Sequence, residues 1–310
     1  MSDSLPATVR LCDEPGALEA TFVPGAGMLC ASLRHRGDEL LAQNAGVLAY
    51  AERGKTMGIP LLYPWANRLA AFSYTAAGRT VEVPHDPTGV GLDDEGLPIH
   101  GVIPGRLRWE LTDAPSPAAS SLGARLSWSE SGAELFEAFP FRHDVLLRAR
   151  LGDGRLQIEV TVHACGSDAV PVAFGFHPYI SPPGIPREQW LIELPAMRRL
   201  ALDGHHIPSG QEVAQPARRF ELAGHEFDDG FDAVAEPARF AVNAAPRRIT
   251  LELLRGYSCA QVFAPAGRRF ICFEPMTAPA NALLSGVGLH VLGPGERHRA
   301  GFSVRVEDLA

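Results

Sequence analysis

The stretch VLLRARLGDGRLQIEVTV, residues 145–162, decides the fold class of this chain. In its first half, Val145 to Leu151, apolar side chains occupy every second position, and Leu156 to Val162 repeats this alternation. Such a period of two is typical of a strand with one buried face. Gly152-Asp153-Gly154 lies between the two halves and supplies residues that tolerate the positive φ of a tight turn. The stretch therefore predicts an antiparallel β-hairpin.

The same alternation recurs along the chain, whereas long segments with a period of 3.6 do not. The other predicted strands are Thr80 to Val83, Ala124 to Ser129, Ile249 to Leu254, Ala260 to Phe263, Arg268 to Glu274 and Phe302 to Val306. One short helical turn is expected around Asn281 to Leu284. Glycine and proline are scattered at turn positions and form no linker. We therefore expect an all-β fold, a large antiparallel β-sandwich with few short helices, as one domain over residues 1–310.

Composition limits the class of function. With 310 residues, 46% of them hydrophobic, the chain can bury a full core. Its net charge of -8 argues against a nucleic-acid partner, and its five dispersed cysteines suit a reducing compartment without predicting zinc. Residues 1–16 lack the basic start and apolar run of a signal peptide, and no apolar run reaches membrane-spanning length. We expect a cytoplasmic monomer or homodimer with no membrane or nucleic-acid partner.

Phe273-Glu274-Pro275 places a carboxylate in an otherwise apolar strand. Phe270 and Cys272 fall on the same face of this predicted strand as Glu274. A carboxylate among apolar side chains is unfavourable unless it is paired, hydrogen-bonded or used in catalysis. Glu274 is therefore a candidate catalytic base. The alternative is a solvated glutamate at the end of a strand that Pro275 stops.

Two histidines stand beside residues that restrict the backbone. His100 lies between Pro98 and Gly101, a context that suits a bend presenting its side chain to a cleft. His177 ends an apolar segment and precedes Pro178. It is either a proton-transfer group or a core histidine bonded to a carbonyl. The alternative for His100 is an ordinary loop histidine without a functional role.

Two polar turns complete the set of candidate residues. Tyr63 to Arg68 brings together an aromatic ring, the Asn67 amide and the Arg68 guanidinium, which suit stacking on a sugar ring and donation to its hydroxyl groups. Phe227 to Asp232 is an acidic turn flanked by aromatic residues. It is either an acceptor for a polyol or a solvated turn.

Taken in order along the chain, these features resemble the aldose 1-epimerase family, the galactose mutarotases and their relatives. The resemblance is carried by Asn67-Arg68, His100-Gly101, His177-Pro178-Tyr179 and Phe273-Glu274-Pro275, with Asn281 following. It implies a galactose mutarotase-like β-sandwich and a small-molecule sugar substrate, with no cofactor and no metal. It also implies Glu274 as the general base, His177 as the general acid, and His100, Asn67 and Arg68 as substrate-binding residues.

Two departures from the family pattern concern the substrate. The family's binding aspartate stands in the pattern aromatic, Asp, His, any residue, Phe, whereas Phe227-Asp228-Asp229-Gly230-Phe231 has Asp229 at the histidine position. Asp228 is the first choice for this role and Asp229 its rival. Gly58-Ile59-Pro60 with Pro64-Trp65 is similar to the hexose-6-phosphate epimerase branch, although Asn67-Arg68 belongs to the mutarotase branch. Phosphorylation of the substrate therefore stays open.

The residue types suit interconversion of the α and β anomers of an aldohexose, which needs one base at the C1 hydroxyl and one acid at the ring oxygen. This assignment predicts a bell-shaped pH profile, with activity rising as Glu274 ionises and falling as His177 loses its proton. A metal-dependent sugar isomerase is an alternative that lacks local paired-ligand spacing. A glycoside hydrolase using Glu274 and Asp228, a hexose-6-phosphate 1-epimerase and a non-catalytic sugar-binding or sensing module are the others.

Overall fold

Short antiparallel strands follow one another in a computed structural model that describes residues 6–86, 88–113 and 119–309. In chain order, strands β1 to β9 are Val9–Asp13, Leu18–Val23, Leu29–His35, Asp38–Glu39, Leu61–Leu62, Ser73–Ala76, Arg79–Glu82, Val90–Leu92 and Pro98–Val102. Strands β10 to β18 are Glu110–Leu111, Ser121–Ser127, Asp144–Gly152, Arg155–His163, Val170–Val172, Gly175–Phe176, Tyr179–Ile180, Leu191–Leu194 and Met197–Leu202. Strands β19 to β27 are Pro208–Gln215, Arg218–Glu221, Phe227–Asp232, Ala238–Ala244, Arg247–Arg255, Cys259–Ala264, Ile271–Met276, His290–Leu292 and Arg297–Asp308.

The α-helices of the described ranges are short: α1 is Val47–Arg53, α2 is Ala133–Ala138 and α3 is Ala282–Ser285. The helical turn predicted near residue 281 is confirmed as α3, whereas α1 and α2 were not predicted. Each spans at most two turns, which is too short for a period of 3.6 to stand out from the sequence. None of the helices in the described part of the chain is long and apolar enough to cross a membrane.

The hairpin predicted at residues 145–162 is confirmed as β12 and β13. Val145 pairs with Val162 and Leu151 with Leu156, and the apolar side chains of both strands are buried on one face. Asp153 and Gly154 form the turn with φ values of 53° and 68°. Positive φ at both central residues is the geometry that matches the twist of a two-residue hairpin.

Two large sheets form the sandwich. One has nine strands in the order β10-β11-β12-β13-β27-β23-β22-β17-β20. The other has eight, in the order β19-β18-β21-β24-β25-β15-β5, with β16 also paired to β25. Phe240 of the first sheet packs on Phe273 of the second with ring centroids 5.3 Å apart, and Phe302 packs on Phe176 at 4.9 Å. The predicted antiparallel β-sandwich is thereby confirmed.

Smaller sheets complete the fold: β1 to β4 form a four-stranded meander, and β6-β7, β8-β9 and β14-β26 form two-stranded ribbons. The pairings between the named strands are antiparallel. The predicted strands at 80–83, 249–254, 260–263 and 302–306 coincide with β7, β23, β24 and β27 apart from their ends. The strand predicted to reach Ser129 ends at Ser127, because Trp128–Glu130 turns into a 3₁₀ helix.

The strand carrying Glu274 differs most from its prediction. β25 begins at Ile271 and continues through Pro275 to Met276, so the prediction that Pro275 stops the strand was wrong. Thr277, two residues on, donates its N–H to Phe174 O, which places the nitrogen of Pro275 on the same side, towards β15 and β16. There the partner strand is interrupted between Phe176 and Tyr179. The N–H that proline lacks is therefore missing where the ladder is already broken.

Candidate active site

Glu274 and Asp228 lie on neighbouring strands of the eight-stranded sheet. β21, β24 and β25 are adjacent, with Asp228 opposite Phe263 and Glu274 opposite Gln261. Because side chains alternate between the two faces of a strand, Glu274 points away from the face on which Phe273 packs in the core. The outer face of these three strands forms the floor of the candidate site.

A cavity of about 450 Å³ lies over this floor. Its volume falls within the range of about 300–1,000 Å³ that is usual for small-molecule sites. The cavity is lined by most of the predicted site residues, namely Asn67, Arg68, His100, His177, Asp228 and Glu274. Asn67 and Glu274 are more than 200 residues apart in the sequence, and the fold brings them to the same cavity.

His177 contacts Glu274 at the base of the cavity. It follows β15, which is paired with β25, and its N–H donates to Pro60 O at 3.2 Å. His177 Nε2 lies 3.3 Å from Glu274 Oε1, and the two side chains are only 6% and 2% exposed. The carboxyl and the imidazole are thus close enough to exchange a proton directly or through a bound hydroxyl group.

Tyr179 supports the imidazole of His177. The two rings are parallel with centroids 4.4 Å apart, and the Tyr179 hydroxyl lies 3.3 Å from His177 Nε2. Thr56 Oγ1 lies 2.6 Å from the same hydroxyl. The Tyr179 hydroxyl is therefore a hydrogen-bond partner of His177 Nε2 and is itself held by Thr56.

The backbone at Asn67 and His100 fixes the tautomer of His100. Asn67 N–H donates to His100 Nδ1 at 3.2 Å, and His100 N–H donates to Asn67 O at 3.0 Å. Burial, with a smaller effect of the Arg68 charge, lowers the pKa of His100 to about 3, so the ring is neutral at pH 7. An accepting Nδ1 then leaves the proton on Nε2, and His100 presents a hydrogen-bond donor.

Gly101 allows this arrangement to form. Its φ is 76°, and a Cβ at this position would lie 2.0 Å from Tyr63 O. Only glycine permits such a close approach together with a positive φ. The strand that carries His100 can therefore lie directly against the segment that carries Asn67.

Arg68 is held by an ion pair and by its own backbone. Its Nε donates to Asp93 Oδ2 at 3.1 Å, and Asp93 Oδ1 accepts two backbone N–H groups of its own turn. Asn281 accepts the N–H of Ala70 at 2.9 Å and donates its own N–H to Arg68 O at 2.8 Å. Asn281 therefore anchors the turn that presents Arg68.

Of the two rival aspartates, Asp228 lines the cavity and Asp229 does not. Asp228 Oδ1 accepts a hydrogen bond from Gln261 Nε2 at 2.6 Å, and its Oδ2 lies 3.3 Å from His206 Nδ1. Asp229 points to the opposite face of β21 and forms an ion pair with Arg199 at 2.6 Å. The structure therefore brings Asp228, and not Asp229, together with the other predicted residues.

Burial opposes a charge on either member of the Glu274–His177 pair. It raises the pKa of Glu274 well above its usual range; the charge of Asp228 adds to this, and Arg68 acts in the opposite direction. Burial also lowers the pKa of His177 well below its usual range, with His100 adding to the effect. Burial therefore favours a neutral carboxylic acid beside a neutral imidazole. Carboxyl and imidazole pKa values displaced in opposite directions are typical of catalytic sites.

Sequence reasoning missed Gln261, Thr56 and Asp93. Gln261 is a buried amide in an otherwise apolar strand, so its position carries the same local signal as that of Glu274. Thr56 and Asp93 lie in connecting segments without a comparable local signal. Their roles depend on partners that are distant in sequence, such as Tyr179 for Thr56.

The arrangement suits proton transfer on a polyol. It combines a carboxyl and an imidazole in contact with an amide, a guanidinium and a second carboxylate around them. Within residues 6–86, 88–113 and 119–309, no group of three or more His, Cys, Asp and Glu side chains is arranged to hold a metal ion.

Comparison with known proteins gives concordant matches. A family model described as aldose 1-epimerase matches residues 12–305. The uncharacterized protein YihR of Escherichia coli strain K12 is 25% identical over 300 residues, which cover 93% of this chain and 90% of that protein. A galactose mutarotase-like protein from Clostridium acetobutylicum superimposes with a TM-score of 0.81 at 17% identity, covering 95% of this chain and 94% of that one. Slr1438 from Synechocystis sp. PCC 6803 superimposes with a TM-score of 0.76 at 23% identity, covering 99% and 98%. At these identities the two solved structures establish the similarity of the fold alone.

Proposed function

Because the chain belongs to the aldose 1-epimerase family, we propose that it interconverts the α and β anomers of an aldohexose by acid/base ring opening and reclosure. The observation that carries this proposal is the contact between His177 Nε2 and Glu274 Oε1 at 3.3 Å on the lining of the cavity. A purely sugar-binding module would need the surrounding donors and acceptors, but it would not need this buried pair.

In the forward direction Glu274 takes the proton of the C1 hydroxyl, and the electrons of that O–H bond form the C1 carbonyl. The C1–O5 bond breaks, its electron pair stays on the ring oxygen O5, and O5 takes a proton from His177. Rotation about the C1–C2 bond then exposes the other face of the aldehyde. Reclosure reverses both transfers, so that Glu274 becomes the acid and His177 the base. Each such positioned group contributes typically about 10²- to 10⁴-fold in rate.

The pair carries one proton throughout this cycle. Before ring opening the proton is on His177, and after ring opening it is on Glu274. The neutral pair that burial favours carries the same number of protons as the ion pair from which the ring opens. No proton therefore has to be exchanged with solvent between ring opening and reclosure.

The pKa shifts of His177 and Glu274 support an assignment of the two limbs of the rate–pH profile that is the reverse of the one expected from the sequence. Since the pKa of His177 is lowered and that of Glu274 is raised, the acid limb reports the pair gaining a second proton, mainly on His177. The alkaline limb reports loss of the shared proton, mainly from Glu274. Between these limbs we expect a broad plateau.

The residues around the pair are proposed to orient the sugar. His100 offers its Nε2–H as a neutral donor, and the N–H groups of Arg68 that Asp93 does not occupy offer a planar set of donors. Asp228, Asn67 and Gln261 add acceptors and donors for the remaining hydroxyl groups. Asp229 has no proposed part in this, since it is paired with Arg199.

The activity is tested by following anomer exchange of dissolved aldohexoses by NMR, with no added cofactor and in the presence of a chelator. We expect acceleration that is insensitive to the chelator. Glu274→Gln should abolish most of it, whereas the matched surface variant Glu252→Gln, which removes a carboxylate paired with Arg239, should retain it. Loss of activity with the chelator and recovery with a divalent metal would overturn the proposed mechanism.

A further inference from the structure

Two turns that line the cavity have the same backbone structure. The turn at 93–97 joins β8 to β9, and the turn at 203–207 joins β18 to β19. In each turn, Oδ1 of the first residue, an aspartate, accepts the N–H groups of the third and fifth residues. The N–H of the first residue donates to the carbonyl of the fifth, and the N–H of the fourth donates to the carbonyl of the first. The two turns can therefore be compared position by position.

The fourth position of each turn has a left-handed backbone. In the turn at 93–97 this residue is Gly96, with a φ of 82°. In the turn at 203–207 it is His206, with a φ of 59°. Glycine adopts such a φ freely, whereas a residue with a Cβ does so at a conformational cost. Since Gly96 supports the same hydrogen bonds, the turn itself does not require an imidazole at His206.

His206 shares its backbone conformation with two residues of the candidate site. Asn67 and His100 are the other non-glycine residues with a positive φ among the described residues that line the cavity, and their φ values are 58° and 60°. Both are proposed above to orient the sugar. Left-handed non-glycine residues are concentrated at ligand sites, where their strain is retained for function.

The contact between His206 and Asp228 does not explain the imidazole by itself. His206 Nδ1 lies 3.3 Å from Asp228 Oδ2, and the side chains are 47% and 29% exposed. Ion pairs of such exposure stabilise a fold very little. Asp228 is also held independently, because its Oδ1 accepts a hydrogen bond from Gln261 Nε2 at 2.6 Å. With Nδ1 turned to a carboxylate oxygen, Nε2 is the nitrogen of His206 that is left for a ligand.

The position of His206 in the cavity indicates which hydroxyl groups it meets. Across the floor, β15 is followed by β25 with Glu274, then by β24, and then by β21 with Asp228. Neighbouring strands lie about 4.8 Å apart, so β21 is about 10 Å from β25. In the proposed mechanism the C1–O5 bond lies at Glu274 and His177, and the C3–C4 bond is opposite to it in a six-membered ring. In a sugar lying along the floor, the hydroxyl groups at C3 and C4 are therefore on the side of His206.

We propose that His206 is a specificity-determining residue that hydrogen-bonds the hydroxyl group at C3 or C4 of the sugar. The inference rests on the proposed function and deepens it by naming the edge of the ring that the protein recognises. A hydrogen bond of this kind corresponds to about a 2- to 12-fold effect on binding. A sugar that lacks the contacted hydroxyl group gains nothing from His206.

The test uses His206→Gly, because Gly96 shows that glycine supports this turn. The variant should be no less stable than the wild type in a urea titration. Anomer exchange by NMR then gives kcat/KM for glucose and for 2-deoxyglucose, 3-deoxyglucose and 4-deoxyglucose. We expect a loss of about 2- to 12-fold for glucose and 2-deoxyglucose. For 3-deoxyglucose or 4-deoxyglucose the variant and the wild type should be equal, and that sugar identifies the contacted hydroxyl group.

His205→Gln is the matched control, since His205 lies in the same turn but pairs with Glu95 at 2.6 Å. It should leave the ratios of kcat/KM between the four sugars unchanged. An equal loss for all four sugars in His206→Gly would indicate a structural role and overturn the inference, as would no loss for glucose. A histidine that only held Asp228 in place would move the alkaline limb of the pH profile, because the Asp228 charge raises the pKa of Glu274. A moved limb in His206→Gly would therefore also overturn the inference.

A second measurement reports binding without catalysis. 1,5-Anhydroglucitol keeps the hydroxyl groups at C3 and C4 but has no C1 hydroxyl, so its ring cannot open. Its dissociation constant, from a ligand-observed NMR titration, should rise about 2- to 12-fold in His206→Gly and stay constant in His205→Gln. An unchanged dissociation constant in His206→Gly would contradict the contact even if the protein exchanges anomers. The expected rise without any anomer exchange by the wild type would instead refute the proposed function and support the contact.

Discussion

The buried histidine His143 should make the stability of this protein depend on pH. Its side chain is 0% exposed, its Nδ1 donates to Phe141 O at 2.7 Å, and its Nε2 is hydrogen-bonded to the Tyr63 hydroxyl. Its ring also stacks on Trp128 with centroids 5.6 Å apart. Burial lowers the pKa of His143 to about 4 from its ordinary 6.5. Tyr63 begins the segment that carries Asn67 and Arg68, so this pair joins the core to the site.

The direction in which stability changes with pH follows from proton binding by His143 in the folded and unfolded states. Between pH 6.5 and about 4 the unfolded chain binds a proton at His143 that the folded protein excludes. The stabilisation is therefore fully present above pH 6.5 and is lost as the pH falls towards 4. At about 1.36 kcal/mol per pH unit, His143 alone lowers the free energy of unfolding by about 2 kcal/mol at pH 5 and by about 3 kcal/mol near pH 4.

His143→Gln tests this expectation. Glutamine keeps a polar group near Tyr63 but does not titrate, so the variant should be less stable at pH 7 and should lose about 2 kcal/mol less than the wild type between pH 7 and pH 5. The free energy of unfolding is measured by urea denaturation followed by tryptophan fluorescence. His225→Gln, at an exposed histidine, should show the wild-type decline. If His143→Gln declined as steeply as the wild type, the buried neutral imidazole would not be the cause.

Three further predictions concern the site. Asp228→Asn should raise KM and move the alkaline limb of the pH profile to lower pH, because the Asp228 charge, after burial, raises the pKa of Glu274; Asp229→Asn, one residue on but facing Arg199, should leave the limb in place. Arg68→Lys should lower kcat/KM at least about 10-fold despite the retained charge, because a planar set of donors is replaced by a point charge, and an unchanged kcat/KM would remove Arg68 from the substrate site. Gly101→Ala should destabilise the fold by about 1–3 kcal/mol in a urea titration, because its Cβ would lie 2.0 Å from Tyr63 O at a positive φ, and wild-type stability would contradict that contact.

The sandwich could be predicted because its signals are local. Alternation of apolar side chains and the Gly152-Asp153-Gly154 turn lie within one hairpin, and each strand can be recognised without knowing its partner. The pairing of distant strands, such as β13 with β27, could not be predicted because nothing in either strand encodes the other. The continuation of β25 through Pro275 could not be predicted for the same reason, because it depends on the gap between β15 and β16 on the neighbouring side of the sheet.

The candidate site was predictable to the extent that its residues violate the apolar pattern around them. Glu274 stands out in an apolar strand, and alternation already places Asp228 and Asp229 on opposite faces of β21. Which of these faces borders the cavity depends on the packing of β21 against β24 and on the core beneath them. Thr56 carries no local signal, because its contact with the Tyr179 hydroxyl depends on where α1 ends.

The central claim is that Glu274 transfers the proton of the C1 hydroxyl, and the kcat of Glu274→Gln tests it most directly. Glutamine preserves the shape and hydrogen-bonding capacity of the side chain but cannot accept that proton. With saturating sugar, anomer exchange measured by NMR should fall roughly 10²-fold or more, while the dissociation constant of the sugar changes little. Near-normal turnover combined with weakened binding would contradict the account, because Glu274 would then be a ligand for a hydroxyl group and the base would lie elsewhere.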